Sequence, residues 1–539
     1  METFAELLRQ NRIEEIWHRY CGFLDLDTEA FMAIQERLLM EQLEKVERSR
    51  LGQIFLGAQP PQTLAEFRQR VRLTTYQDYE PYLQNQNDEY LAEKPVAWAR
   101  TSGRAGKPKW IPYTQRAMEL IAAGNLTALI LCAARRRGEV RIEPRDVMLH
   151  NTPARPYSSG WAIQSLATCT DFRFLPPLET SEAMTFGERI RVSFQMALHE
   201  GIDVMGSLSS VLVRIGDSFA ENTQRLKFNL RLSKDAMHPV ALVRMGRAWL
   251  TSRLQGRKAI KPRDLWKLKG MVVGGMDTSI YKEKLIDYWG VEPHESYGAT
   301  EAPNMATQAW TRKGLYFLPD IAFYEFIPES EWARSRADPT YLPQTVLLNE
   351  VQVGQRYEVV ITNFHGGPLL RYRMHDLVRV VADGEPKAGI RLPSIVFEAR
   401  DKDLIDLASF SGPMDEKQIW TAVVKSGIPH EEWAARKEVI GGHPTLHLYI
   451  EPKVAIHEEE ARQRLHEALK EVNPDYGDIE TLLGFHPLRV TLLPSGSFMA
   501  YMKYKAAQGA DLAHLKPPHM NAPDEVMEIL LNQRDKGRR

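Results

Sequence analysis

The feature that most constrains the fold is an alternation of short apolar runs with helical stretches, between about Arg100 and Arg400. The runs at 271–273, 357–362 and 377–381 are rich in valine and isoleucine, and each is closely followed by Gly, Asn or Asp. Such runs, closed by turn-forming residues, predict β-strands. Strands that alternate with helices are typical of α/β proteins, so the sequence predicts an α/β body.

A smaller unit is predicted in the last quarter of the chain. It carries a strand at 446–450, a charged helix at 457–472 and a second strand near 489–493. Strand, helix and strand over that length fit a small α+β module. We therefore predict a large N-terminal domain at 1–400 and a small C-terminal domain at 401–539.

The N-terminal segment 1–66 is predicted to be helical. Apolar residues recur at spacings of three and four between Phe31 and Val46, and Gly52 follows as a stop signal. An amphipathic segment at 7–20 precedes this helix. We expect both to pack on the main body and to carry no chemistry.

The charge balance restricts the kind of partner. The chain has 69 Lys and Arg against 70 Asp and Glu. Phosphate backbones are bound by clustered excess cations, so this balance argues against nucleic acid as the main partner. The most apolar stretch, 121–134, is interrupted by Asn125 and Thr127 and is shorter than the ~20 apolar residues of a bilayer span. We expect a buried helix there and no membrane partner.

The cysteines indicate a reducing compartment. Cys21, Cys132 and Cys169 are far apart and form no C-x-x-C pair. This spacing argues against a disulfide framework or a structural zinc site. Residues 1–6 lack the basic start and apolar core of a signal peptide. A cytoplasmic location is therefore expected.

The first segment with chemical potential is 101–109, Thr-Ser-Gly-Arg-Ala-Gly-Lys-Pro-Lys. Glycine backbones can approach an anion closely, hydroxyls and amides donate to phosphate oxygens, and Lys107 and Lys109 add positive charge. Only two residues separate the glycines and a proline follows Lys107, so the segment is not a Walker A loop. By composition alone it is either a phosphate loop or a polar turn.

The second segment is 295–301, Glu-Ser-Tyr-Gly-Ala-Thr-Glu. Tyr297 could stack on a base, Thr300 could bond a phosphate, and Glu301 could hold a magnesium ion together with substrate phosphates. The alternative is a strand end followed by an ordinary turn.

The third segment is 370–376, Leu-Arg-Tyr-Arg-Met-His-Asp. Asp376 could accept both hydroxyls of a ribose, while Arg371 or Arg373 neutralises phosphate. The alternative is a surface Arg–Asp pair of little consequence.

In this order and spacing, the three segments resemble the adenylate-forming superfamily of acyl-CoA ligases, peptide-synthetase adenylation domains and luciferases. The chain is most similar to the acyl acid–amido synthetase branch, the auxin-responsive family that conjugates plant hormones to amino acids. The resemblance covers nearly the whole chain from about Phe67. It rests further on residues 67–82, 111–114, 271–285, 495–498 and 509–517.

The resemblance implies a large α/β domain of the adenylate-forming type with a smaller, mobile α+β C-terminal domain. It also implies ATP and Mg²⁺ as cofactors, with the metal on Glu301, the ribose on Asp376 and a hinge after Arg400. Lys516 is the implied mobile-domain lysine that reaches the nucleotide, with Lys503 and Lys505 as alternatives. The implied catalytic residues are Lys516, Glu301 and Thr300. The implied nucleotide-binding residues are Thr101, Ser102, Gly103, Arg104, Gly274, Gly275, Met276, Tyr297, Gly298, Asp376 and Arg400.

Three positions depart from the family pattern. Arg104 stands where the family usually has Thr or Ser, so a cation replaces a hydroxyl donor. His375 replaces the usual glycine before Asp376, which leaves the backbone path at the ribose site open. The final Lys-Pro-Arg pattern reads Lys-Pro-Pro at 516–518.

The implied function is that of an ATP-dependent acyl acid–amido synthetase. It would adenylate a small carboxylic acid with release of pyrophosphate, then transfer the acyl group to an amine, in this family an amino acid. A monomer is favoured. Glu301, His375 and Asp376 are the candidate bases for the amine, and the sequence does not choose among them.

Two other functions compete. An acyl-adenylating ligase would form a thioester with coenzyme A or a carrier protein, but such enzymes usually end with a Gly-Lys motif where this chain has Ser-Gly-Ser at 495–497. A catalytically silent nucleotide-binding scaffold is disfavoured by the intact set of Ser102, Glu301, Asp376 and Lys516.

The sequence does not identify the acid or the amine. Acid-binding residues are expected in the variable segments 157–164 and 173–178. Trp161 and Phe172 either line such a pocket or belong to the ordinary core.

Overall fold

In the computed structural model the chain divides into two compact units. The first takes in 2–101, 109–374 and 378–397, and the second takes in 375–377 and 398–536, each with gaps. The predicted boundary at residue 400 stays a prediction. The structure describes residues 2–101, 109–221, 238–274, 278–338, 340–400, 404–405, 407, 414–440, 443–473, 476–477, 479, 486–508 and 517–536.

The strands up to residue 400 form one large sheet and one hairpin. They are β1 (Ala97–Arg100), β2 (Trp110–Tyr113), β3 (Val147–His150), β4 (Arg173–Leu175), β5 (Val204–Leu208), β6 (Gly270–Gly274), β7 (His294–Tyr297), β8 (Ala306–Gln308), β9 (Leu315–Phe317), β10 (Ala322–Pro328), β11 (Arg356–Asn363), β12 (Tyr372–Glu385) and β13 (Ile390–Arg400). The sheet has the order β10-β11-β12-β13-β9-β8-β7-β6-β5-β3-β4, and β1 pairs with β2.

The large sheet is parallel at one end. Pairing is parallel from β4 through β3, β5 and β6 to β7, and antiparallel from β7 through β8 and β9 to β13. The strands predicted at 271–273, 357–362 and 377–381 lie within β6, β11 and β12. The α/β prediction is therefore confirmed.

Fifteen α-helices precede or alternate with these strands in the described sequence. They are α1 (Phe4–Arg9), α2 (Ile13–Cys21), α3 (Thr28–Val46), α4 (Arg50–Leu56), α5 (Leu64–Arg70), α6 (Tyr76–Leu83), α7 (Gln115–Ala133), α8 (Ser158–Ala167), α9 (Leu178–Ser181), α10 (Phe186–Glu200), α11 (Ser209–Glu221), α12 (Pro239–Leu254), α13 (Pro262–Leu265), α14 (Thr278–Trp289) and α15 (Glu329–Ala337). Short 3₁₀ turns occur at Gly22–Asp25, Asp88–Tyr90 and Pro386–Ala388. Phe4, Ile16 and Trp17 of α1 and α2 belong to the main hydrophobic core, as predicted.

The apolar stretch predicted as a buried helix is α7. Thr114 caps its start by accepting from the Ala117 amide at 3.2 Å. By length and composition alone α7 is the one helix of the described residues that could cross a membrane, yet 67% of its most apolar window is buried within the protein. The helix prediction is confirmed.

Gly52 is not the stop of α3, and that expectation is wrong. The helix ends at Val46, and Gly52 lies inside α4, where a Cβ atom would be 1.7 Å from the Val46 carbonyl oxygen. Ser49 joins the two helices by capping the Gly52 amide at 2.9 Å. The glycine is needed because the backbone of one helix end lies against the next helix.

The second unit contains a small sheet and four helices in its described part. Its elements are α16 (Glu416–Lys425), β14 (His430–Ile440), β15 (His443–Pro452), α17 (Glu458–Val472), β16 (Leu488–Leu492), α18 (Ser497–Ala507) and α19 (Asp524–Lys536). β15 pairs antiparallel with β14 and parallel with β16. The predicted strand, helix and strand are thus β15, α17 and β16, and they form a crossover unit.

His519 fastens the segment before α19 to this sheet. Its Nδ1 lies 2.6 Å from Glu416 Oε1 and its Nε2 lies 2.7 Å from Glu432 Oε1, while the ring stacks on Trp433 at 4.4 Å. Burial by itself would lower the pKa of His519, but the two glutamates raise it to about 9. The folded state therefore favours the imidazolium.

We expect the contacts of His519 with these two glutamates to make the free energy of unfolding fall as the pH becomes alkaline. The pKa of His519 is raised on folding, so its contribution is complete below about 6.5 and is lost as pH rises through about 9. Up to roughly 3 kcal/mol of unfolding free energy should disappear over this range. Denaturant titrations between these pH values should show the loss in the wild type and not in His519→Gln. His466→Gln, at another buried histidine of this unit, should keep the wild-type slope. An equal slope in His519→Gln would contradict the assignment.

Candidate active site

The segment 101–109 joins β1 to β2, and its two ends are fastened together. The Thr101 amide donates to the Lys109 carbonyl at 3.0 Å, and the Lys109 amide donates to the Thr101 hydroxyl at 3.0 Å. Thr101 therefore closes the base of the predicted phosphate loop. Ser102, Gly103 and Arg104 lie outside the described residues, and their roles stay predictions.

A buried carboxylate lies against this base. Glu301 Oε1 accepts from Lys109 Nζ at 3.1 Å and from the Tyr372 hydroxyl at 3.1 Å. Lys109 Nζ also donates to the Tyr372 hydroxyl at 2.8 Å and lies 5.3 Å from the centre of the Tyr76 ring. Glu301, Lys109 and Tyr372 thus form a closed triangle of hydrogen bonds, which we call the Glu301 triad.

The triad keeps Glu301 ionised. Burial by itself would raise the pKa of Glu301, but the Lys109 ammonium and the hydrogen bonds outweigh it and lower that pKa below its ordinary value. Burial and the Glu301 charge raise the pKa of Tyr372, so its hydroxyl remains a donor. The site presents a carboxylate in the form that binds a hard cation.

The turn that carries Thr300 and Glu301 is held from several sides. The Thr300 carbonyl accepts from the Tyr113 hydroxyl at 2.8 Å, and the Glu301 carbonyl accepts from the Asn363 amide group at 2.9 Å. The Thr300 hydroxyl donates to Ser158 Oγ at 3.3 Å. These bonds fix the direction of the Glu301 side chain through its backbone.

Close packing of the backbone requires a glycine at position 298. A Cβ atom there would lie 2.4 Å from the backbone nitrogen of Asn304, so the chain can approach itself only with glycine. This close approach accounts for the glycine at this position. A nucleotide contact at Gly298 stays a prediction.

Tyr297 and Gly274 end neighbouring strands. They are the last residues of β7 and β6, which pair in parallel, so both lie at the same edge of the sheet. Tyr297 is buried and its ring lies 5.6 Å from that of Phe397. The carboxyl edge of parallel strands is where α/β proteins bind ligands. Gly275 and Met276 lie outside the described residues.

The two arginines of 370–376 do not form a phosphate site. Arg371 is buried and donates from Nε and one terminal nitrogen to Glu325, at 3.0 and 2.9 Å. Arg373 donates to the buried Glu358 at 2.9 and 2.6 Å. Both arginines are held by carboxylates of the adjoining strands β10 and β11, so the phosphate expectation is wrong for them. The surface-pair alternative is wrong as well.

The backbone at His375 takes a conformation that suits glycine. His375 adopts φ 55°, the left-handed conformation that glycine takes most readily. The histidine therefore follows a glycine-like backbone path at this position, and its effect on a ribose site stays a prediction. Asp376 is 2% exposed, and its contact with a ribose stays a prediction. Arg400 is the last residue of β13, and Lys516 lies outside the described residues.

A magnesium ion would depend on Glu301 together with the substrate. In the described part of the chain no three His, Cys, Asp or Glu side chains group closely enough to hold a metal ion by themselves. Magnesium is commonly bound by one or two carboxylates plus substrate phosphates, and the ionised Glu301 beside the predicted phosphate loop fits that mode.

A small cavity of about 50 Å³ begins at Glu301. Glu301, Tyr113 and Asn363 line it together with Ile121 and Ile321. Trp161 and Phe172, for which an acid pocket and the ordinary core were the two alternatives, do not line this cavity.

Those two aromatic residues have other contacts. Trp161 donates from its indole to the Trp98 carbonyl at 3.2 Å. Phe172 is buried in the main core, as the ordinary-core alternative predicts.

Sequence reasoning left Lys109 and Tyr372 out of the site. Its position in the sequence groups Lys109 with the loop, although it directly precedes β2. Tyr372 lies between Arg371 and Arg373, and side chains alternate along a strand. Tyr372 and Arg373 open β12, so that alternation was the available signal, because it sends the tyrosine to the face opposite Arg373.

The fold is that of adenylate-forming enzymes. It matches a solved structure of AtGH3.15 acyl acid amido synthetase in complex with 2,4-DB at a TM-score of 0.67, with 17% identity and 95% of each chain covered. It matches 2-hydroxyisobutyryl-CoA ligase with R3-HIB-AMP at a TM-score of 0.58, with 15% identity and 99% and 94% covered. At these identities the likeness establishes the fold alone.

The chain belongs to the GH3 family. Models of the family match along the chain: the GH3 family N-terminal domain at 21–211, the central domain at 315–389 and the C-terminal domain at 422–525. The family resemblance inferred from the motifs is confirmed.

Curated relatives carry amido synthetase names. Indole-3-acetic acid-amido synthetase GH3.3 of Arabidopsis thaliana is 26% identical over 228 residues, which cover 40% of this chain and 36% of the relative. Jasmonoyl–L-amino acid synthetase JAR6 of Nicotiana attenuata is 27% identical over 411 residues, which cover 64% and 66%. The matches thus span between about a third and two thirds of these relatives' lengths.

Lys109→Met tests the triad without assuming an activity. It should lower the unfolding free energy at pH 7 by roughly 1–3 kcal/mol, less than for a fully buried pair because Lys109 is 37% exposed. Burial then raises the pKa of Glu301, so the deficit should shrink as pH falls and the carboxyl protonates. Urea denaturation at several pH values measures both effects.

The double variant Lys109→Met with Glu301→Gln should recover most of the loss. Lys313→Met, at an exposed lysine paired with Glu385 at 2.6 Å, is the matched control and should change stability little. A pH-independent deficit at Lys109 would exclude Glu301 as its cause.

Proposed function

We propose that this protein is an ATP-dependent acyl acid–amido synthetase acting in the cytoplasm. It adenylates a small carboxylic acid, releases pyrophosphate and transfers the acyl group to an amine, in this family an amino acid. The observation that carries the proposal is the Glu301 triad: an ionised, buried carboxylate at the base of a glycine-rich loop, in a chain of the GH3 family. The free cysteines are consistent with a reducing compartment.

The chemistry explains why such a site is needed. A carboxylate is a poor acyl donor because its leaving group would be oxide, and attack on the α-phosphate of ATP exchanges that group for AMP. The protein must align the two anions and neutralise charge on phosphate oxygens. A bound magnesium ion would supply part of that neutralisation. Glu301 would hold it, and Lys109 keeps Glu301 ionised for that purpose.

The remaining nucleotide contacts follow the family pattern. The loop at 101–104 would bind phosphates through the amides of Ser102, Gly103 and Arg104, with Thr101 at its base. Thr300 would bond the α-phosphate, and Asp376 would accept the ribose hydroxyls. The sheet edge at 274–276, with Tyr297 and Gly298, would border the adenine. Tyr297 would present its buried ring there.

The proposed mechanism includes a movement of the C-terminal domain. A C-terminal domain at 401–539 would rotate about a hinge after Arg400 and bring Lys516 to the nucleotide. The enzyme would act as a monomer.

Amide formation is favoured over thioester formation by the turn before α18. Gly496 takes φ 87°, and its amide donates to Glu451 Oε1 at 2.5 Å, while the Phe498 amide donates to Glu451 Oε2 at 2.9 Å. Glu451 thus closes the turn where coenzyme A ligases usually carry Gly-Lys. The thioester alternative retains one argument, the shared fold with 2-hydroxyisobutyryl-CoA ligase.

The first functional test is adenylation without an acceptor. With its acid, ATP and Mg²⁺, found by screening acids for ATP–pyrophosphate exchange, the enzyme should catalyse that exchange in the absence of amine. Supplied with acyl-adenylate, it should then yield an amide with an amino acid and little thioester with coenzyme A, as read by mass spectrometry. Exchange that strictly required the amine would contradict the two-step scheme, and efficient acyl-CoA formation would reverse the ranking of products.

The second test separates the half-reactions at Lys516. Phosphate charge builds up mainly during adenylation, so Lys516→Ala should slow pyrophosphate exchange by on the order of 10²–10³ and affect amide formation from acyl-adenylate much less. Lys453→Ala is the matched control, because Lys453 is an exposed lysine of the same unit and is not one of the three candidates. If Lys503→Ala or Lys505→Ala lost adenylation and Lys516→Ala did not, the lysine assignment would be wrong.

A further inference from the structure

The helix α12 buries small residues and exposes large apolar ones, which is the reverse of an ordinary surface helix. It turns Ala241, Ala248 and Ser252 towards the protein, and these are its buried residues. Met245 packs partly buried against the core, but six other large apolar residues are 48–79% exposed. These residues, which we call the α12 face, are Val240, Leu242, Val243, Trp249, Leu250 and Leu254.

This orientation is fixed by specific contacts. Arg244 donates to the carbonyls of Ala197 and Leu198 in α10, at 2.7 and 2.5 Å. Ser252 donates to the carbonyl of Ala259 at 2.7 Å. A surface helix normally buries its large apolar side chains. An exposed apolar strip that the protein holds in place by polar contacts is a mark of a binding surface.

The charge around the face identifies its partner. Residues 238–263 contain seven Lys and Arg and no Asp or Glu, in a chain whose formal net charge is −1. Arg247, Arg253 and Lys258 are exposed at or beside the face. The Arg253 guanidinium lies 5.7 Å from the centre of the Trp249 ring, so its stem runs along the apolar surface.

We propose that the α12 face binds an anionic lipid surface, with α12 lying in the plane of the interface. Leucine and tryptophan on one face with arginine and lysine beside them are the composition of interfacial helices. Each cation near an anionic leaflet adds attraction that falls off with salt. The expectation of no membrane partner rested on the length of the apolar stretch at 121–134, which bears on a membrane-spanning helix and not on a helix that lies in the interface.

A second copy of the chain fits the face less well. In a two-fold symmetric interface both sides carry the same face, so the charges of Arg247, Arg253 and Lys258 would be doubled with no Asp or Glu of 238–263 to offset them. A bilayer with acidic headgroups supplies both the apolar layer and the opposite charge. The proposal is independent of the enzymatic function proposed above.

Gly246 provides a clean way to test the proposal. It is exposed in the middle of α12, and a Cβ atom there meets no atom within 4 Å, so a side chain can be added without disturbing the fold. Gly246→Glu places a negative charge within the face, and Gly246→Lys places a positive one. Gly187→Glu is the matched control, because Gly187 is an exposed helical glycine in α10 that is equally open.

The measurement is co-sedimentation of the full chain with vesicles of phosphatidylcholine plus phosphatidylglycerol, and with phosphatidylcholine alone. The wild type should bind the anionic vesicles, and binding should weaken with salt. Gly246→Glu should reduce the partition coefficient about fivefold or more, Gly246→Lys should retain it, and Gly187→Glu should match the wild type. Trp249→Ala should weaken binding to both kinds of vesicle.

Three results would overturn the proposal. The wild type could fail to bind anionic vesicles, or both Gly246 variants could bind as the wild type does, which would place the contact elsewhere. The third is a concentration-dependent dimer, seen by light scattering, that both Gly246 variants dissociate, because the face would then be a self-interface.

Discussion

Glu301 is a carboxylate removed from water, and an ion in that position must be matched by an opposite charge or be protonated. Lys109 supplies the charge and Tyr372 the second hydrogen bond, at 3.1 Å each. These residues come from the end of the loop segment, the turn after β7 and the start of β12. The hydrogen bonds of the Glu301 triad therefore connect the loop, the carboxyl edge of the parallel strands and the antiparallel part of the sheet.

The same requirement accounts for the arginines beside Tyr372. Arg371 and Glu325 are both buried, and the guanidinium also donates to the carbonyls of Arg68 and Val71, at 2.7 and 2.6 Å. Such an arginine fastens the end of α5 to the sheet and has its donors occupied. A charged pair that reads as a ligand site in sequence is here part of the framework that positions Tyr372.

The α12 face illustrates the opposite situation, in which large apolar side chains stay in water. Small residues such as Ala241 and Ala248 let α12 lie close to its neighbours, which leaves Leu250 and Leu254 outside. Total composition could not reveal this, because a net charge near zero averages a cationic segment with an acidic remainder. The direction in which each helix face points determines what the surface can bind.

The sequence by itself determined the α/β class, the strands β6, β11 and β12, the α+β elements of the second unit and membership of the GH3 family, because periodicity, turn residues and ordered motifs are local properties. It also singled out Thr300 and Glu301 as candidate site residues. Only the tertiary structure paired Glu301 with Lys109 and Tyr372, placed Arg371 on Glu325 and put Gly52 inside a helix. Those outcomes depend on which distant residues meet across the sheet and on how closely two backbones approach, and no local pattern encodes either.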